Sequence, residues 1–492
     1  MQHKELIQQM TLLEKCALLS GDTVFTTRAY SKHGIPAITL SDGPNGVRKQ
    51  AGAADHLGLN PSVPATCFPP AVTIACSWNP ALGEEIGKAM GEEAAAQEVS
   101  VLLGPGLNTK RSPLCGRNFE YFSEDPYLSG KLAAAYVRGI QSEGISACPK
   151  HFAVNSQELR RQASNSVVDE RTMREIYLTA FEIAVREAAP MTIMTSYNEI
   201  NGVYAHENKH LLQDILRNEW GFDGMVVSDW GGSNSAVAAV KAGGSLEMPS
   251  PGYTSVRELE GVVKAGTLSE ADLNARAAEV AKIAHLTKTE GVGRNDLLKD
   301  AVAAAHHEIA RKVAENSSVL LKNASATLPL QSGTRVAVIG DMSKTPRFQG
   351  SGSSKVNATR EENILDELKN AAAATGVTVA GYAQGYDRQG TKNQTLIDEA
   401  KTLAAADTTD AVIVVVGLDE RSESEGLDRS TMAIPQVQND LVDALTATGK
   451  PVIIVLVAGF LTFLFAEVIA QAVNFFVQMK WVFKSDSSFK DA

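Results

Sequence analysis

The 492-residue chain has little of what several large protein classes require. It has no basic patch or stripe: the formal net charge is -11 and the acidic residues are spread along the chain, so a nucleic-acid partner is not expected. Cysteine is scarce. The 5 cysteines (Cys16, Cys67, Cys76, Cys115, Cys148) are odd in number, confined to the first third and free of any CxxC pair. That argues against a disulfide framework and for reduced thiols. No His, Cys and carboxylate spacing suits a metal, and His306 and His307, being adjacent, point to different sides of a helix. No Walker or dinucleotide fingerprint is present; Gly350-Ser351-Gly352-Ser353-Ser354 comes nearest but lacks the GK[ST] ending. No cofactor is expected. The N-terminal MQHKELIQQMTLLEKCALLSG has polar residues where a signal peptide needs an apolar core, which predicts a cytoplasmic protein. The sequons at Asn316, Asn323, Asn357 and Asn393 then carry no meaning.

What is present is an ordinary globular mix, 44% hydrophobic and 21% charged, with the length of two or three domains. Residues 1–285 alternate short apolar runs with helical patterns. The runs Ala37–Leu40, Ser100–Leu103, Thr192–Thr195 and Met225–Val227 predict strands, several ending in polar or glycine-rich turns. Pro80–Val99 predicts an amphipathic helix. Such alternation predicts an α/β fold with a (β/α)8-type barrel, whose chemistry sits at the C-terminal ends of the strands. Residues 286–330 predict a helix and linker. Val336–Ile339, Ala411–Val416 and Val452–Val457 are unbroken apolar runs rich in β-branched residues, the pattern of parallel strands buried on both faces. Residues 331–458 are therefore expected to form a second, α/β/α sandwich domain.

Asp229 stands where the strand Met225–Val227 stops, in the stretch MVVSDWGG. Alone it reads as a turn or cap aspartate. Its company argues for chemistry. The loop Arg111–Pro126 is dense in arginine, aromatic and acidic groups, Lys150-His151 precedes Phe152, and Tyr197 follows the strand at 192. Polar and charged side chains around one carboxylate, with Trp230 and Phe119 nearby as apolar platforms, suit a sugar.

At these residues the chain resembles the family 3 glycoside hydrolases of β-glucosidase type. The matching motifs are LSDGPNGVR (40–48), RSPLCGRNFEYFSEDP (111–126), PKHFAVNSQE (149–158), MTSYNEING (194–202), GFDGMVVSDWGG (221–232), SSVLLKN (317–323) and SESEGLDR (422–429). They occur in the family's order. The resemblance implies a retaining β-glucosidase acting on small-molecule or oligosaccharide β-glucosides through a covalent glycosyl-enzyme intermediate. It implies Asp229 as nucleophile and Glu425 as acid/base, with Glu423 as the runner-up. One of two such carboxyls must hold a proton while the other stays ionised, so Glu425 is expected to have the raised pKa. The sugar-holding residues implied are Asp42, Arg48, Arg117, Lys150, His151, Arg161, Tyr197, Trp230 and, from the second domain, Ser353. The segment KHFAVNSQ lacks the glycines and histidine of the N-acetylglucosaminidase branch, KHFPGHG, which favours the glucosidase branch.

The resemblance lapses after Ala458. GFLTFLFAEVIAQAVNFFVQMKWVFKSDSSFKDA is atypical and apolar. This predicts a truncated or frame-shifted chain with an incomplete sandwich. It leaves open an inactive or sugar-binding remnant, a membrane contact through 459–483, and, more remotely, a Schiff-base barrel using Lys150. The aglycone, the choice of glucose or xylose, and the oligomeric state are not set by the sequence.

Overall fold

The computed structural model describes residues 2–52, 60–287, 300–323 and 326–457. The atypical segment 459–492 and part of the expected linker lie outside the described residues. The chain divides into two compact units. The first is Met1–Val313 with Ser351–Thr359 and Glu425–Asp428; the second is Ala314–Gly350, Arg360–Ser424 and Arg429–Ala492. Two short loops that lie within 331–458 in sequence, one carrying Ser353 and one carrying Glu425, therefore belong to the first unit.

The first unit is a ring of short parallel strands. β1 (Leu40–Asp42), β2 (Val101–Leu103) and β3 (Ser146–Ala147) form one sheet, in register Asp42 to Leu103 and Leu102 to Ala147. β4 (Thr192–Met194) pairs with β5 (Met225–Val227), Thr192 opposite Met225. Hydrogen bonds from Met194 N–H to Pro149 O (3.0 Å) and from Phe152 N–H to Met194 O (2.7 Å) join the two sheets. Beyond β5, single parallel bridges link Val227 to Leu246 and Glu247 to Ser20. An antiparallel bridge between Thr26 and Thr39 leads back to β1. The ring thus closes through an antiparallel segment: Thr27 bridges Gly21 and Thr26 bridges Thr39, both antiparallel.

β1 lies further along the chain than the apolar run Ala37–Leu40 suggests. The reason is local: Ile38 and Thr39 are taken by the antiparallel pairing, with Thr27 N–H donating to Ile38 O at 3.0 Å. α1 (Pro80–Ala96) starts at Asn79, whose side chain accepts the Ala81 N–H, with proline at its first position. It packs on α2 (Pro126–Gln141) through Gly87 and Gly139. A Cβ added at either would lie 2.4 or 2.3 Å from the other helix's backbone oxygens, so these glycines set the close approach.

Among the described residues the second unit is a four-stranded, wholly parallel sheet. β6 (Arg335–Ile339), β7 (Thr378–Ala383), β8 (Ala411–Gly417) and β9 (Val452–Val457) lie in the order β7-β6-β8-β9. Alternate residues face opposite sides. Val412, Val414 and Val416 pack with Ile397 and Leu441, while Ile413 and Val415 pack with Leu365 and Leu368. Both faces are covered by helices, as unbroken β-branched strands require.

Candidate active site

The functional side chains of the first unit stand at the C-terminal ends of its strands, the face on which parallel barrels carry chemistry. Asp42 ends β1, Arg117 follows β2, Lys150 and His151 follow β3, Tyr197 follows β4, and Asp229 follows β5. Asp42, Arg117, Lys150, His151, Tyr197, Asp229, Trp230, Ser353 and Glu425, together with Met194, line one pocket. Arg48 and Arg161 reach it through the carboxylates they hold. Arg48 Nη1 lies 3.2 Å from Asp42 Oδ2, and Arg161 Nη1 lies 2.8 Å from Glu425 Oε1. Phe119 is buried in the interior and is not among the lining residues. Glu423 is buried in the second unit, ion-paired with Arg347.

Each group is held by identifiable contacts. Asp229 Oδ1 accepts the Trp230 N–H at 2.8 Å, whereas Oδ2 is buried with no hydrogen-bond partner. His151 Nε2 lies 3.6 Å from that oxygen. Burial first, then Arg117, Lys150 and Arg161, push the His151 pKa well below its ordinary value, so the ring is neutral. The Tyr121 hydroxyl hydrogen-bonds Nδ1 at 3.0 Å, which leaves Nε2 on the Asp229 side of the ring. Asn108 fixes the same residue through its backbone, accepting from His151 N–H at 2.7 Å and donating to its carbonyl at 2.8 Å. Trp230 is held by its indole N–H, which donates to Val24 O at 2.6 Å, and by Phe25, ring centres 5.2 Å apart. Tyr197 donates to Trp230 O at 3.0 Å and carries the Arg161 guanidinium 4.7 Å over its ring.

Glu425 is gripped on both oxygens. Besides Arg161, Arg117 Nη1 lies 3.7 Å from Oε1, and Ser353 N–H donates to Oε2 at 2.8 Å. Gly352 allows this approach. Its φ is +116°, and a Cβ there would sit 2.4 Å from Glu425 Cβ. These contacts overturn the expectation of a raised pKa. Burial pushes Glu425 up, but Arg117, Arg161 and the Ser353 hydrogen bonds outweigh it and hold the carboxyl well below the usual range. The raised carboxyls are others. Burial, against the pull of the cations and helped by Glu425, raises Asp229. Burial likewise takes Asp42 to about 7 despite Lys150 and Arg48.

Several participants lie inside the quoted motifs without having been singled out. Glu158 accepts the Gly426 N–H at 2.8 Å and shares Arg161 with Glu425. Asp428 accepts from Gly116 N–H (3.2 Å), Glu158 N–H (3.0 Å) and Leu159 N–H (2.9 Å), fastening the Glu425 loop to the barrel loops. Glu120 pairs with Arg117. Glu120 and Glu158 pair with arginines three residues away, but the bonds between Glu158 and Gly426 and those of Asp428 join segments 268 to 312 residues apart, and only their placement in the motifs hinted at them. Among the described residues no cluster of His, Cys, Asp and Glu suits a metal, and none of the five cysteines is in a disulfide. His306 instead bonds Glu93 (2.8 Å) and Glu92 (2.9 Å). No described helix is long and apolar enough to cross a membrane, and 459–483 lies outside the described residues.

Fold and site together define a parallel barrel with a buried, charge-lined pocket at its strand ends. Comparison with known families is direct: the glycosyl hydrolase family 3 N-terminal domain matches residues 26–283 and its C-terminal domain residues 318–474. The chain belongs to glycosyl hydrolase family 3. The C-terminal match runs beyond Ala458, after which the resemblance was expected to lapse. The chain is 46% identical to a thermostable beta-glucosidase B of Acetivibrio thermocellus, over 93% of this chain and 60% of that protein. It is 41% identical to an exo-alpha-(1->6)-L-arabinopyranosidase of Bifidobacterium longum, over 92% of this chain and 60% of that protein. The solved beta-glucosidase 3B of Thermotoga neapolitana, in complex with alpha-D-glucose, superposes with a TM-score of 0.82 at 31% identity, covering 93% of this chain and 69% of that one. The chain thus spans 60% of the length of these curated relatives.

Proposed function

We propose that the protein is a retaining β-glucosidase that releases terminal β-D-glucose from small glucosides or oligosaccharides. Asp229 is the nucleophile and Glu425 the acid/base. What carries the reading is that these two carboxylates line one pocket, with Asp229 Oδ2 buried and unpartnered and three cationic or imidazole groups beside it. An oxygen whose hydrogen-bonding capacity is unfilled is available to attack an anomeric carbon. The cations Arg117, Arg161 and Lys150 favour its ionised form against the pull of burial. Asp42, Arg48 and Lys150 hold the sugar hydroxyls, and Trp230 gives an apolar face. Glu425, already ionised in the empty pocket, is suited to the second half-reaction, in which it takes a proton from the attacking water. In the first half it must deliver a proton to the leaving oxygen, so Arg161 has to loosen its grip before that step.

The experiment is hydrolysis of p-nitrophenyl β-D-glucoside by the full chain beside an Asp229→Ala control, with proton NMR of the sugar released. The reading predicts β-glucose as the first product and no turnover in the control. Its α-anomer as first product, or equal rates in both proteins, would sink it. The p-nitrophenyl α-L-arabinopyranoside belongs in the same assay, since a relative at 41% identity is named for that sugar.

A further inference from the structure

Glu158 is buried, and the quoted motif gives it no role of its own. Its Oε2 accepts from Gly426 N–H at 2.8 Å and from Arg161 Nη1 at 2.8 Å. The same Arg161 nitrogen lies 2.8 Å from Glu425 Oε1. One guanidinium nitrogen therefore serves two buried carboxylates, and the peptide next to Glu425 hangs on one of them. Glu158 Oε1 is buried with no hydrogen-bond partner. The charged and titratable groups facing Glu158 are Arg161, Arg117, Glu425, Tyr121, Cys115 and, at its own backbone N–H, Asp428.

We propose that Glu158 is a positioning residue for the acid/base Glu425, holding its loop through the Gly426 amide and competing with it for Arg161, so that the charge on Glu158 governs how readily Glu425 takes up a proton. This rests on the assignment of Glu425 made above. When Glu158 is ionised it draws the Arg161 charge to itself, and Glu425 is less firmly held as a carboxylate. When Glu158 is neutral, Arg161 serves Glu425 alone. Burial raises the Glu158 pKa to about 7, with Arg117 and Arg161 opposing and Glu425 adding to the rise. The change of charge thus falls near neutral pH. Coupling between two sites is reciprocal: whatever Glu158 does to the protonation of Glu425, Glu425 does to Glu158.

Glu158→Gln keeps an acceptor for Gly426 and removes the charge. In this variant the basic limb of the kcat/KM profile should move to lower pH by about 1 unit or more. At neutral pH kcat for ethyl β-D-glucoside, whose leaving oxygen needs a proton, should fall at least about tenfold more than kcat for the p-nitrophenyl glucoside, whose leaving group needs none. Purely structural damage would lower both alike and leave the profile in place. The second measurement needs no activity. In protein labelled with δ-13C-glutamate, the Glu158 signal is identified by its loss in Glu158→Gln and titrated with and without Glu425→Gln. The Glu158 midpoint should drop to lower pH when Glu425 is neutralised. An unchanged midpoint, or an unchanged profile in an active enzyme, overturns the proposal. A wild type with no glucosidase activity would instead count against the assigned function, and the titration would still decide the coupling.

Discussion

The barrel pocket and the sandwich sheet are buried to a similar degree and built on opposite terms. In the sheet, β8 (Ala411–Gly417) buries every one of its residues, and its alternating faces pack on apolar side chains of the flanking helices, with the buried Gln438 amide bonding the Gly417 N–H and carbonyl. In the pocket and directly behind it, Asp42, Arg48, Arg117, Lys150, Glu158 and Asp229 are at least as inaccessible as many core residues, yet all are polar or charged. The sheet stabilises through apolar area removed from water. The pocket works against stability: buried carboxylates are desolvated, and Asp229 Oδ2 has no partner to offset that. The difference teaches where selection for folding stops and selection for chemistry begins.

The contrast can be broken most sharply at Asp229. Asp229→Asn should lower hydrolysis by about 10⁴-fold or more, as loss of a nucleophile does. The same variant should melt higher than wild type at pH 7. Its pKa is raised in the folded protein, so the fold binds that proton more tightly than the unfolded chain does. The penalty is absent below the unfolded value near 4 and grows as pH rises through the folded one. Scanning calorimetry at pH 7 and pH 3 checks this: the gap should close at the lower pH, and a variant that melts lower at both would contradict it.

Next comes the sheet. Ile413→Ala removes a fully buried side chain from β8 and should cost about 2–5 kcal/mol in denaturant unfolding. KM for the glucoside should stay as it was at temperatures where the variant is folded.

Gly352→Ala joins the two ledgers. Its Cβ would press on Glu425 at 2.4 Å and its φ of +116° disfavours a side chain. A displacement of Glu425 on that scale should lower kcat by about 100-fold with little change in KM. A variant with normal kcat would show that the Glu425 loop tolerates more freedom than the contacts imply.

The smallest effect is expected at His306, which bridges Glu92 and Glu93 and whose pKa is raised; burial opposes the rise, and the two glutamates outweigh it. A raised histidine adds stability that is fully present below the unfolded value of about 6.5 and lost as pH climbs through the folded one. His306→Gln should therefore destabilise by on the order of 1 kcal/mol at pH 6 and by less at pH 9. Equal losses at both pH values would contradict it.

Much of this was legible in the sequence because strands buried on both faces are written as continuous apolar runs. Met225–Val227 and Val452–Val457 are strands with the bounds their hydrophobicity suggests. β3 (Ser146–Ala147) was not legible: it is a two-residue strand beginning with a serine, and its pairing depends on neighbours far along the chain. The residues gathered in the pocket were legible only through family motifs. Their electrostatics were not, since the state of Glu425 depends on Arg161 lying 264 residues away in sequence. For the same reason Glu158 and Asp428 looked like ordinary motif letters until the Gly426 and Leu159 amides were seen to point at them.

The central claim is that Asp229 attacks the sugar. The most direct test is to incubate the full chain with 2,4-dinitrophenyl 2-deoxy-2-fluoro-β-D-glucoside, whose slow second step traps a covalent intermediate, and to map the modified peptide by mass spectrometry. The account predicts one fluoroglucosyl group per chain, on Asp229 in the peptide containing MVVSDWGG. A label on Glu425 or Glu423, or none from a folded protein that hydrolyses p-nitrophenyl β-D-glucoside, would contradict it.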